Sequence, residues 1–461
     1  MVNPNIFREY DIRGVVEKDL THDAVEEIGR SFGSEMMQAG HRQLSLGRDG
    51  RLSSPALHDS LIQGLTSTGV EILDIGICPT PILYFSLFEL PVQGGVMITG
   101  SHNPADFNGF KLCRGRESIY GDAIQAIRKR IESKTFVQGK GLVKNYPGII
   151  PQYTKYLEKQ FRDAAKGFKV VVDSGNGTAG PVAPDLLRLM GCEVVELYSE
   201  MDGRFPNHHP DPTVPENLTD LITRVKAEGA AMGIGFDGDA DRLGVVDENG
   251  EVIWGDRLLI IFARDILRRH PKATVVSEVK CSQQLFDDVV QRGGQAIMWK
   301  AGHSLIKAKM RETQAVLAGE MSGHFCFADR YYGYDDAIYA ACRLIEIVAK
   351  TGRPLSQLLA DLPKTYSTPE IRVDCPDEIK FKLVEKVKQQ LTSPSRRRGE
   401  QVKMIDVDGL RIQFEDGWGL LRASNTQPVL VLRFEAKTAG RLKEIQDLIQ
   451  DAMKQARVDF R

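Results

Sequence analysis

The feature that most constrains the fold is a threefold recurrence of short apolar runs, each followed by glycine and polar residues. The first copy has runs at residues 44–46, 70–75 and 95–98, the second at 169–172, 193–197 and 231–235, and the third at 273–276, 296–298 and 315–317. Runs of this length, bounded by turn residues, are typical of buried strands in parallel sheets. Three copies of such a βαβ-rich unit predict three related α/β domains with mostly parallel sheets.

The pattern changes beyond residue 363. Alternating strands are predicted at residues 402–407, 410–414, 420–423 and 429–435, between helices at about 377–391 and 439–456. This order is typical of an α+β domain. Breaks near residues 147, 250 and 363 then predict four domains, at residues 1–147, 148–250, 251–363 and 364–461.

Composition excludes several classes of function. The formal net charge of −2 gives no basic field, so we expect no nucleic acid partner. The first residues lack the apolar core of a signal peptide, and no run reaches membrane-spanning length, so we expect no membrane partner. The seven cysteines are scattered without a Cys-x-x-Cys pair, which favours a reducing, cytoplasmic location over disulfides or zinc.

Ser101 lies in a polar segment, residues 99–104, directly after the apolar run at 95–98. Ligands of open α/β sheets bind at the carboxyl ends of strands, where this segment is expected. A serine hydroxyl is a poor nucleophile and needs a partner that activates it or stabilises charge. The alternative is an ordinary turn, because Ser, Asn and Pro are common turn residues.

Asp237, Asp239 and Asp241 alternate after the run at residues 231–235. In an extended chain they project to one side, and three carboxylates suit Mg²⁺. An EF-hand loop would also place acids at these positions. That interpretation fails because Arg242 occupies the position where the loop requires glycine, and because strands rather than helices flank the motif.

Residues 175–180 match G-x-G-x-x-G, and Glu196 ends the following strand at the distance expected for a ribose contact. An NAD-dependent sugar-phosphate dehydrogenase is therefore a rival hypothesis. Against it, Pro181 follows the motif at once, and a dehydrogenase leaves Ser101 and the aspartates unexplained.

Two further polar loops carry candidate binding groups. Residues 319–324 supply a carboxylate, a hydroxyl and an imidazole, which suit sugar hydroxyls and proton transfer. Residues 422–428 offer one guanidinium and short polar groups, which suit phosphate oxygens, although a polar hairpin would look similar. The basic segment 393–399 is interpreted as a solvated loop.

The four loops at residues 99–111, 237–242, 319–324 and 422–428, in this order and spacing, closely resemble those of the α-D-phosphohexomutases. The resemblance covers essentially the whole chain, including residues 205–212. Met321 makes the sugar loop similar to that of the bacterial phosphomannomutase/phosphoglucomutase branch. The resemblance implies three related α/β domains and a smaller α+β domain around one central cleft.

The resemblance also implies a reaction. A phosphoserine at Ser101 would convert hexose 1-phosphate to hexose 6-phosphate, of glucose, mannose or both, through a hexose 1,6-bisphosphate. Glucose 1,6-bisphosphate would serve as activator. A non-catalytic sugar-phosphate binding protein remains a third possibility for such a fold.

The resemblance assigns roles residue by residue. Metal ligands for Mg²⁺ would be Ser101, Asp237, Asp239 and Asp241. Groups near the transferring phosphoryl would be Lys111, His324, His303, Arg13 and Arg242, with no single general base assigned. Substrate contacts would come from Tyr10, Lys280, Glu320, Ser322, Arg422, Ser424, Asn425 and Thr426. We expect a monomer whose partner is a small-molecule sugar phosphate.

Overall fold

The computed structural model describes residues 2–392, 400–425 and 427–458. Thr426 and the basic segment 393–399 lie outside the described residues. Three short 3₁₀ helices are present, at Pro4–Ile6, Pro215–Leu218 and Leu355–Leu359. Every cysteine is buried and free of a disulfide. Within the described ranges, we find no helix that combines the length and apolarity needed to cross a membrane.

The first sheet is built from seven strands: β1 (Ile12–Val15), β2 (Gln43–Arg48), β3 (Glu71–Ile77), β4 (Gly94–Ile98), β5 (Phe107–Arg114), β6 (Glu117–Ser118) and β7 (Val143–Asn145). Their order is β1-β5-β4-β2-β3-β7, with β6 paired to β5. Strands β4, β2, β3 and β7 are parallel, and β5 runs antiparallel to β4. The helices are α1 (His22–Gln38), α2 (Ser54–Thr66), α3 (Thr80–Glu89) and α4 (Asp122–Ser133).

Helices α1 and α2 show how the sequence sets this packing. The Thr21 side chain caps α1 by accepting a hydrogen bond from the backbone N–H of Ala24. The two helices meet at Gly64, where an added Cβ would lie 2.1 Å from the carbonyl oxygen of Glu26. Only glycine allows this close approach.

The second sheet contains β8 (Lys169–Asp173), β9 (Glu193–Leu197), β10 (Met232–Phe236), β11 (Leu243–Asp247) and β12 (Val252–Ile253), in the order β12-β11-β10-β8-β9. Its helices are α5 (Ile149–Phe161), α6 (Ala183–Leu189) and α7 (Thr219–Glu228). Strands β10, β8 and β9 are parallel. Strands β11 and β12 add an antiparallel edge and form a hairpin.

The third sheet contains β13 (Thr274–Glu278), β14 (Gln295–Trp299), β15 (Leu317–Gly319) and β16 (Phe325–Phe327), in the order β14-β13-β15-β16. Its helices are α8 (Gly255–Arg269), α9 (Gln283–Gln291), α10 (His303–Glu312) and α11 (Ala337–Thr351). Only the edge strand β16 is antiparallel to its neighbour.

The fourth sheet is antiparallel and contains β17 (Tyr366–Ser367), β18 (Ile371–Asp374), β19 (Lys403–Ile405), β20 (Leu410–Gln413), β21 (Gly417–Ala423) and β22 (Val429–Ala436). Helices α12 (Asp377–Thr392) and α13 (Ala439–Val458) accompany it. This is the α+β domain predicted from the sequence. The prediction of three α/β domains followed by a different fourth domain is therefore confirmed, whereas the domain boundaries stay a prediction.

One topological element occurs in each of the first three sheets. A polar loop joins a parallel strand to a neighbouring antiparallel strand: β4 to β5, β10 to β11, and β15 to β16. Antiparallel neighbours need only a short connection, so each loop is held at both ends by paired strands. The sequence predicted the first strand of each pair but did not assign β5 or β16.

The hydrophobic core is shared between the first three sheets. One apolar cluster extends from Ile75 to Leu359 and includes the rings of Phe85 on α3 and Tyr153 on α5, whose centroids are 5.4 Å apart. The fourth sheet has a separate cluster with α12 and α13. The fourth domain meets the third through a small apolar cluster of Val279, Trp418 and Leu420 and through polar contacts of Arg411 and Arg433.

Candidate active site

The serine loop between β4 and β5 touches the aspartate loop between β10 and β11. Ser101 is 3% exposed, and its hydroxyl donates a hydrogen bond to Oδ2 of Asp237 at 3.1 Å. Its φ of 48° lies in the left-handed region, which is costly for a serine and indicates a constrained loop. Gly238 faces it so closely that an added Cβ would lie 2.7 Å from the carbonyl oxygen of Ser101.

Arg51 holds the serine loop from behind, and the sequence analysis missed it. Its guanidinium is buried beside the carboxylate of Asp49. It donates hydrogen bonds to four loop carbonyls, those of Ser101 at 2.8 Å, Asn103 at 2.6 Å, Pro104 at 2.6 Å and Phe107 at 3.0 Å. The only available signal was its place just beyond the carboxyl end of β2, the parallel neighbour of β4.

The three aspartates among the four predicted metal ligands are brought together. Asp237, Asp239 and Asp241 are fully buried, and one carboxylate oxygen from each lies within 4.8 Å of the others. Among the described residues, Oδ1 of Asp239 and Oδ1 of Asp241 have no hydrogen-bond partner. Burial and the two neighbouring carboxylates raise the pKa of Asp237 well above its usual value. These carboxylate oxygens are close together and two of them lack hydrogen-bond partners among the described residues. Such a set of hard oxygen ligands suits a divalent cation.

Lys111 projects from β5 into this cluster, where Nζ contacts Oδ2 of Asp239 at 2.7 Å and also Asp241. Arg13 on β1 donates to Oδ1 of Asn103 at 3.0 Å and to Asp11 at 2.6 Å. The pairing of β4 with β5 and of β5 with β1 therefore brings both predicted cations to the serine loop.

The two predicted histidines lie beside the aspartate loop. Their rings are stacked with centroids 5.4 Å apart. Arg242 donates from Nε to Nε2 of His324 at 3.1 Å. Burial and nearby Lys307 lower the pKa of His303 below its usual value. His324, His303 and Arg242 thus form one cluster.

The sugar loop between β15 and β16 carries Glu320 and Ser322. Oε1 of the buried Glu320 accepts a hydrogen bond from the backbone N–H of Gly302 at 2.7 Å, and Ser322 is half-buried. Lys280 contacts Glu370 at 3.0 Å and Glu278 at 3.5 Å. Burial lowers the pKa of Lys280, but these two carboxylates raise it further, so its pKa lies above the usual value.

The loop between β21 and β22 carries the predicted phosphate-binding residues. Arg422 donates from Nε to Oδ2 of Asp408 at 3.0 Å. The hydroxyl of Ser424 accepts a hydrogen bond from the backbone N–H of Gln427 at 3.1 Å. The side-chain amide of Asn425 donates a hydrogen bond to the hydroxyl of Tyr10 in the first domain. Thr426 lies outside the described residues. Asp408 was missed because it lies in the hairpin before β20, a usual place for aspartate.

The glycine segment that suggested a dinucleotide site packs against the aspartate loop. The backbone N–H of Thr178 donates to the carbonyl oxygen of Gly238 at 3.0 Å. An added Cβ at Gly177 would lie 2.7 Å from the same oxygen. Glu196 is engaged by Arg188. The segment therefore has a structural role, as a support for the aspartate loop.

A fold of three α/β domains and one α+β domain, with a buried serine against an acidic triad, defines a class of phosphoryl-transfer enzymes. Four models described as phosphoglucomutase/phosphomannomutase match in order: α/β/α domain I at residues 4–138, domain II at 151–250, domain III at 254–366 and the C-terminal domain at 370–452. The chain belongs to the phosphoglucomutase/phosphomannomutase family, in the bacterial branch of the α-D-phosphohexomutase superfamily. The resemblance seen in the sequence is confirmed, and the chain is an intramolecular phosphotransferase.

Individual relatives agree over nearly the full length. The chain is 47% identical to a phosphomannomutase/phosphoglucomutase of Pseudomonas aeruginosa over 98% of this chain and 96% of that one. It is 44% identical to a phosphoglucomutase of Neisseria gonorrhoeae, covering 97% and 96%. A crystal structure of a phosphoglucomutase/phosphomannomutase family protein from Burkholderia thailandensis superposes with a TM-score of 0.92 at 45% identity, covering 99% and 98%.

Proposed function

We propose that this enzyme interconverts the 1- and 6-phosphates of glucose and mannose through a phosphoserine at Ser101. The observation that carries the proposal is the contact between the Ser101 hydroxyl and Asp237, which joins the candidate phosphoryl carrier to the acidic triad. The relatives named above support a hexose phosphate as substrate.

Mg²⁺ fits the donor set around Ser101. Asp237, Asp239 and Asp241 would hold it together with an oxygen on Ser101, since two of their carboxylate oxygens lack other partners among the described residues. When bound, the ion would offset negative charge on the phosphoryl group and on the serine oxygen. Because Ser101 and the three aspartates would share the ion, the serine loop would be kept next to the aspartate loop.

The transfer would exchange one P–O bond for another. The bond between phosphorus and Oγ of Ser101 breaks as a bond forms to the free hydroxyl of the sugar phosphate, which gives a hexose 1,6-bisphosphate. We propose that the imidazole of His324 takes the proton of that hydroxyl, because guanidinium groups cannot accept one, and that Nε2 gives up its contact with Arg242 as it does so. The leaving serine oxygen is protonated in turn, so the complete cycle neither gains nor loses a proton.

The cationic groups would stabilise the transition state. Lys111, Arg13 and Arg242 approach the serine loop from three elements, so their charges can surround the transferring phosphoryl group. Phosphoryl transfer depends mainly on positioning and charge stabilisation, for which fixed cations are well suited. His303 would support this cluster through its stacking on His324.

The other end of the substrate would bind to the last domain. Arg422, Ser424 and Asn425, with Thr426 outside the described residues, would hold the phosphate that is not reacting. Glu320 and Ser322 would bind the 3- and 4-hydroxyls, with Lys280 and Tyr10 nearby. Since either phosphate must reach Ser101, the bisphosphate would turn over inside the cleft, and closure of the last domain would exclude water.

The test is a ³¹P NMR time course. Purified protein is mixed with Mg²⁺, a trace of glucose 1,6-bisphosphate, and glucose 1-phosphate or mannose 1-phosphate. We expect the 1-phosphate signal to fall as the 6-phosphate signal grows. Absence of conversion with both sugars would refute the proposed function. The proposal also includes a cytoplasmic location and a monomeric state, and light scattering would test the monomeric state.

A further inference from the structure

A carboxylate that the proposed reaction does not use lies beside the predicted phosphate-binding arginine. Asp408 is 13% exposed, and its Oδ2 accepts a hydrogen bond from Nε of Arg422 at 3.0 Å. The same oxygen accepts a hydrogen bond from the backbone N–H of Ala301 in the third domain, also at 3.0 Å. One carboxylate oxygen therefore joins Arg422 to the third domain.

Close packing fixes the backbone around Asp408. Asp408 and Gly409 lie in the hairpin connection between β19 and β20, and β20 pairs with β21, the strand that carries Arg422. An added Cβ at Gly409 would lie 2.7 Å from Cα of Arg422, so only glycine allows the connection to come this close. Val407 packs against the apolar cluster between the third and fourth domains. Asp408 therefore has little freedom to move away from Arg422.

The backbone of Ala301 and Gly302 extends this link to the sugar loop. The N–H of Ala301 donates to Asp408, and the carbonyl oxygen of Ala301 accepts a hydrogen bond from the hydroxyl of Tyr10 at 2.7 Å. The N–H of Gly302 donates to Oε1 of Glu320 at 2.7 Å. Three consecutive polar backbone groups thus contact side chains of the fourth, first and third domains. The predicted contacts for the phosphate and for the sugar hydroxyls meet at these two residues.

The hydrogen bond with Asp408 uses the Nε side of the guanidinium. A guanidinium carries five N–H donors, one on Nε and four on the two terminal nitrogens. A carboxylate on Nε holds the plane of the group, while the terminal nitrogens form the fork that matches two phosphate oxygens. A phosphate would then meet an arginine whose orientation is already set, so binding would cost less rotamer freedom.

Two other roles for the same contact give different results. A carboxylate that occupied Arg422 in place of phosphate would have to leave when substrate binds, so its removal would tighten binding. A purely structural ion pair would change stability and leave substrate affinity as it is. The geometry disfavours competition, because Oδ2 is also held by the N–H of Ala301 and because the pair engages Nε.

We propose that Asp408 is a positioning residue that orients Arg422 for the phosphate that is not reacting and fixes it relative to the sugar loop. Asp408 acts through Arg422 and through the backbone of Ala301, and it has no contact with the substrate. The inference rests on the proposed function, in which the non-reacting phosphate binds to Arg422. Because this phosphate is bound in both directions of the reaction, Asp408 affects both.

The test compares single and double variants. We expect Asp408→Ala to raise KM for glucose 1-phosphate and glucose 6-phosphate at least about 10-fold, with kcat changed by less than about twofold, since a charge-assisted hydrogen bond is lost from the binding group alone. Asp408→Asn keeps the shape of the side chain and one oxygen acceptor, so it should raise KM about fivefold. A lower KM, or a KM within about twofold of the wild type in both variants, would overturn the proposal.

The double variant shows whether Asp408 acts through Arg422. We expect the KM of Asp408→Ala/Arg422→Ala to equal that of Arg422→Ala within about twofold, because the second substitution removes the group that Asp408 orients. Two independent contributions would multiply instead. Multiplied effects would contradict a positioning role.

Asp406→Ala is the matched control. Asp406 lies two residues earlier in the same hairpin connection, but it is exposed and pairs with Lys388 on α12 at 2.8 Å. We expect KM and kcat within about twofold of the wild type. If Asp406→Ala raises KM as much as Asp408→Ala, the effect comes from a disturbed hairpin and the proposal fails.

A binding measurement separates this proposal from the proposed function. Calorimetry with glucose 1-phosphate needs no turnover, and circular dichroism shows which variants are folded. We expect the dissociation constant to rise at least about 10-fold in Asp408→Ala, and about fivefold in Asp408→Asn if the alanine variant does not fold. An unchanged dissociation constant in a folded variant would overturn the proposal. A wild type that binds glucose 1-phosphate without converting it would refute the proposed function, while this comparison would still decide the role of Asp408.

Discussion

The side-chain amide of Asn425 donates a hydrogen bond to the phenolic oxygen of Tyr10 at 2.8 Å, across 415 positions of sequence. Tyr10 in turn donates to the carbonyl oxygen of Ala301 at 2.7 Å. The first, third and fourth domains therefore meet at one tyrosine. The bond from Asn425 to Tyr10 directly joins a loop of the last domain to the first domain.

The proposed phosphoryl carrier should be detectable as a covalent phosphate on Ser101. Intact-mass analysis should detect a phosphorylated fraction, which peptide mapping assigns to Ser101. Ser101→Ala should lower turnover at least about 10³-fold, because it removes the group that carries the phosphoryl, while sugar phosphate binding remains. Ser60→Ala is the control, since Ser60 is also buried but bonds to the backbone of α2. Full activity of Ser101→Ala would refute the mechanism.

The acidic triad predicts metal dependence. Asp239→Asn removes one hard ligand and should weaken Mg²⁺ binding at least about 10-fold, as measured by calorimetry, with a parallel loss of rate. Chelator should stop the wild type. Asp288→Asn serves as control, because Asp288 is a buried carboxylate that pairs with Arg264. Unchanged activity in chelator would contradict the metal assignment.

Replacement of Arg422 should weaken substrate binding equally in the two directions of the reaction. Loss of a charge-assisted hydrogen bond should raise KM about 10- to 100-fold in Arg422→Ala, for the 1-phosphate and the 6-phosphate alike. Both substrates would place their non-reacting phosphate on the same loop. Arg441→Ala is the control in the same domain, since Arg441 pairs with Asp416. A defect confined to one direction would argue against a shared site.

The sugar loop predicts dual specificity. Glucose and mannose differ only at C2, whereas Glu320 and Ser322 are proposed to bind the 3- and 4-hydroxyls. The kcat/KM values for the two 1-phosphates should therefore agree within about one to two orders of magnitude. A 3-deoxy or 4-deoxy analogue should be a much poorer substrate, because it leaves buried polar groups unpaired. Exclusion of one natural sugar together with good turnover of a 4-deoxy analogue would show that the contacts are wrong.

The contact between His58 and Asp74 should stabilise the folded state in a pH-dependent way. Burial lowers its pKa, but hydrogen bonding to Asp74 at 3.0 Å more than offsets this, so the pKa of His58 is raised. Its stabilisation is then fully present below the unfolded-state pKa of about 6.5 and is lost as the pH rises through the higher folded-state pKa. His58→Gln should therefore lower the melting temperature more at pH 5.5 than at pH 8.5. An equal or opposite difference would contradict the ion pair.

The sequence was informative wherever chemistry depends on neighbours along the chain. Apolar runs of strand length located most of the parallel strands, and the glycine and polar residues that end them located all four loops. The alternation of Asp237, Asp239 and Asp241 predicted a metal site from an extended segment. The structure gathers the three carboxylates in a turn instead, in which the backbone N–H of Ala240 donates to the carbonyl oxygen of Asp237 at 3.1 Å. Local patterns are sufficient to predict these strands and loops without knowledge of any tertiary contact.

Only the tertiary structure decided which residues support those loops. Asp335 and Asp336 precede α11 as an ordinary pair of helix-capping acids; folding makes Asp336 the cap and turns Asp335 toward the histidines. Arg51 reaches its four carbonyl partners 50 to 56 positions away, and the contact of Ser101 with Asp237 spans 136 positions. Ser101 and Asp237 come from different sheets, so their distance depends on how the domains pack. Arg51 and its partners belong to the first sheet, where their distances depend on the order of its strands. No local pattern encodes that packing, because it is set by a hydrophobic core shared across three domains.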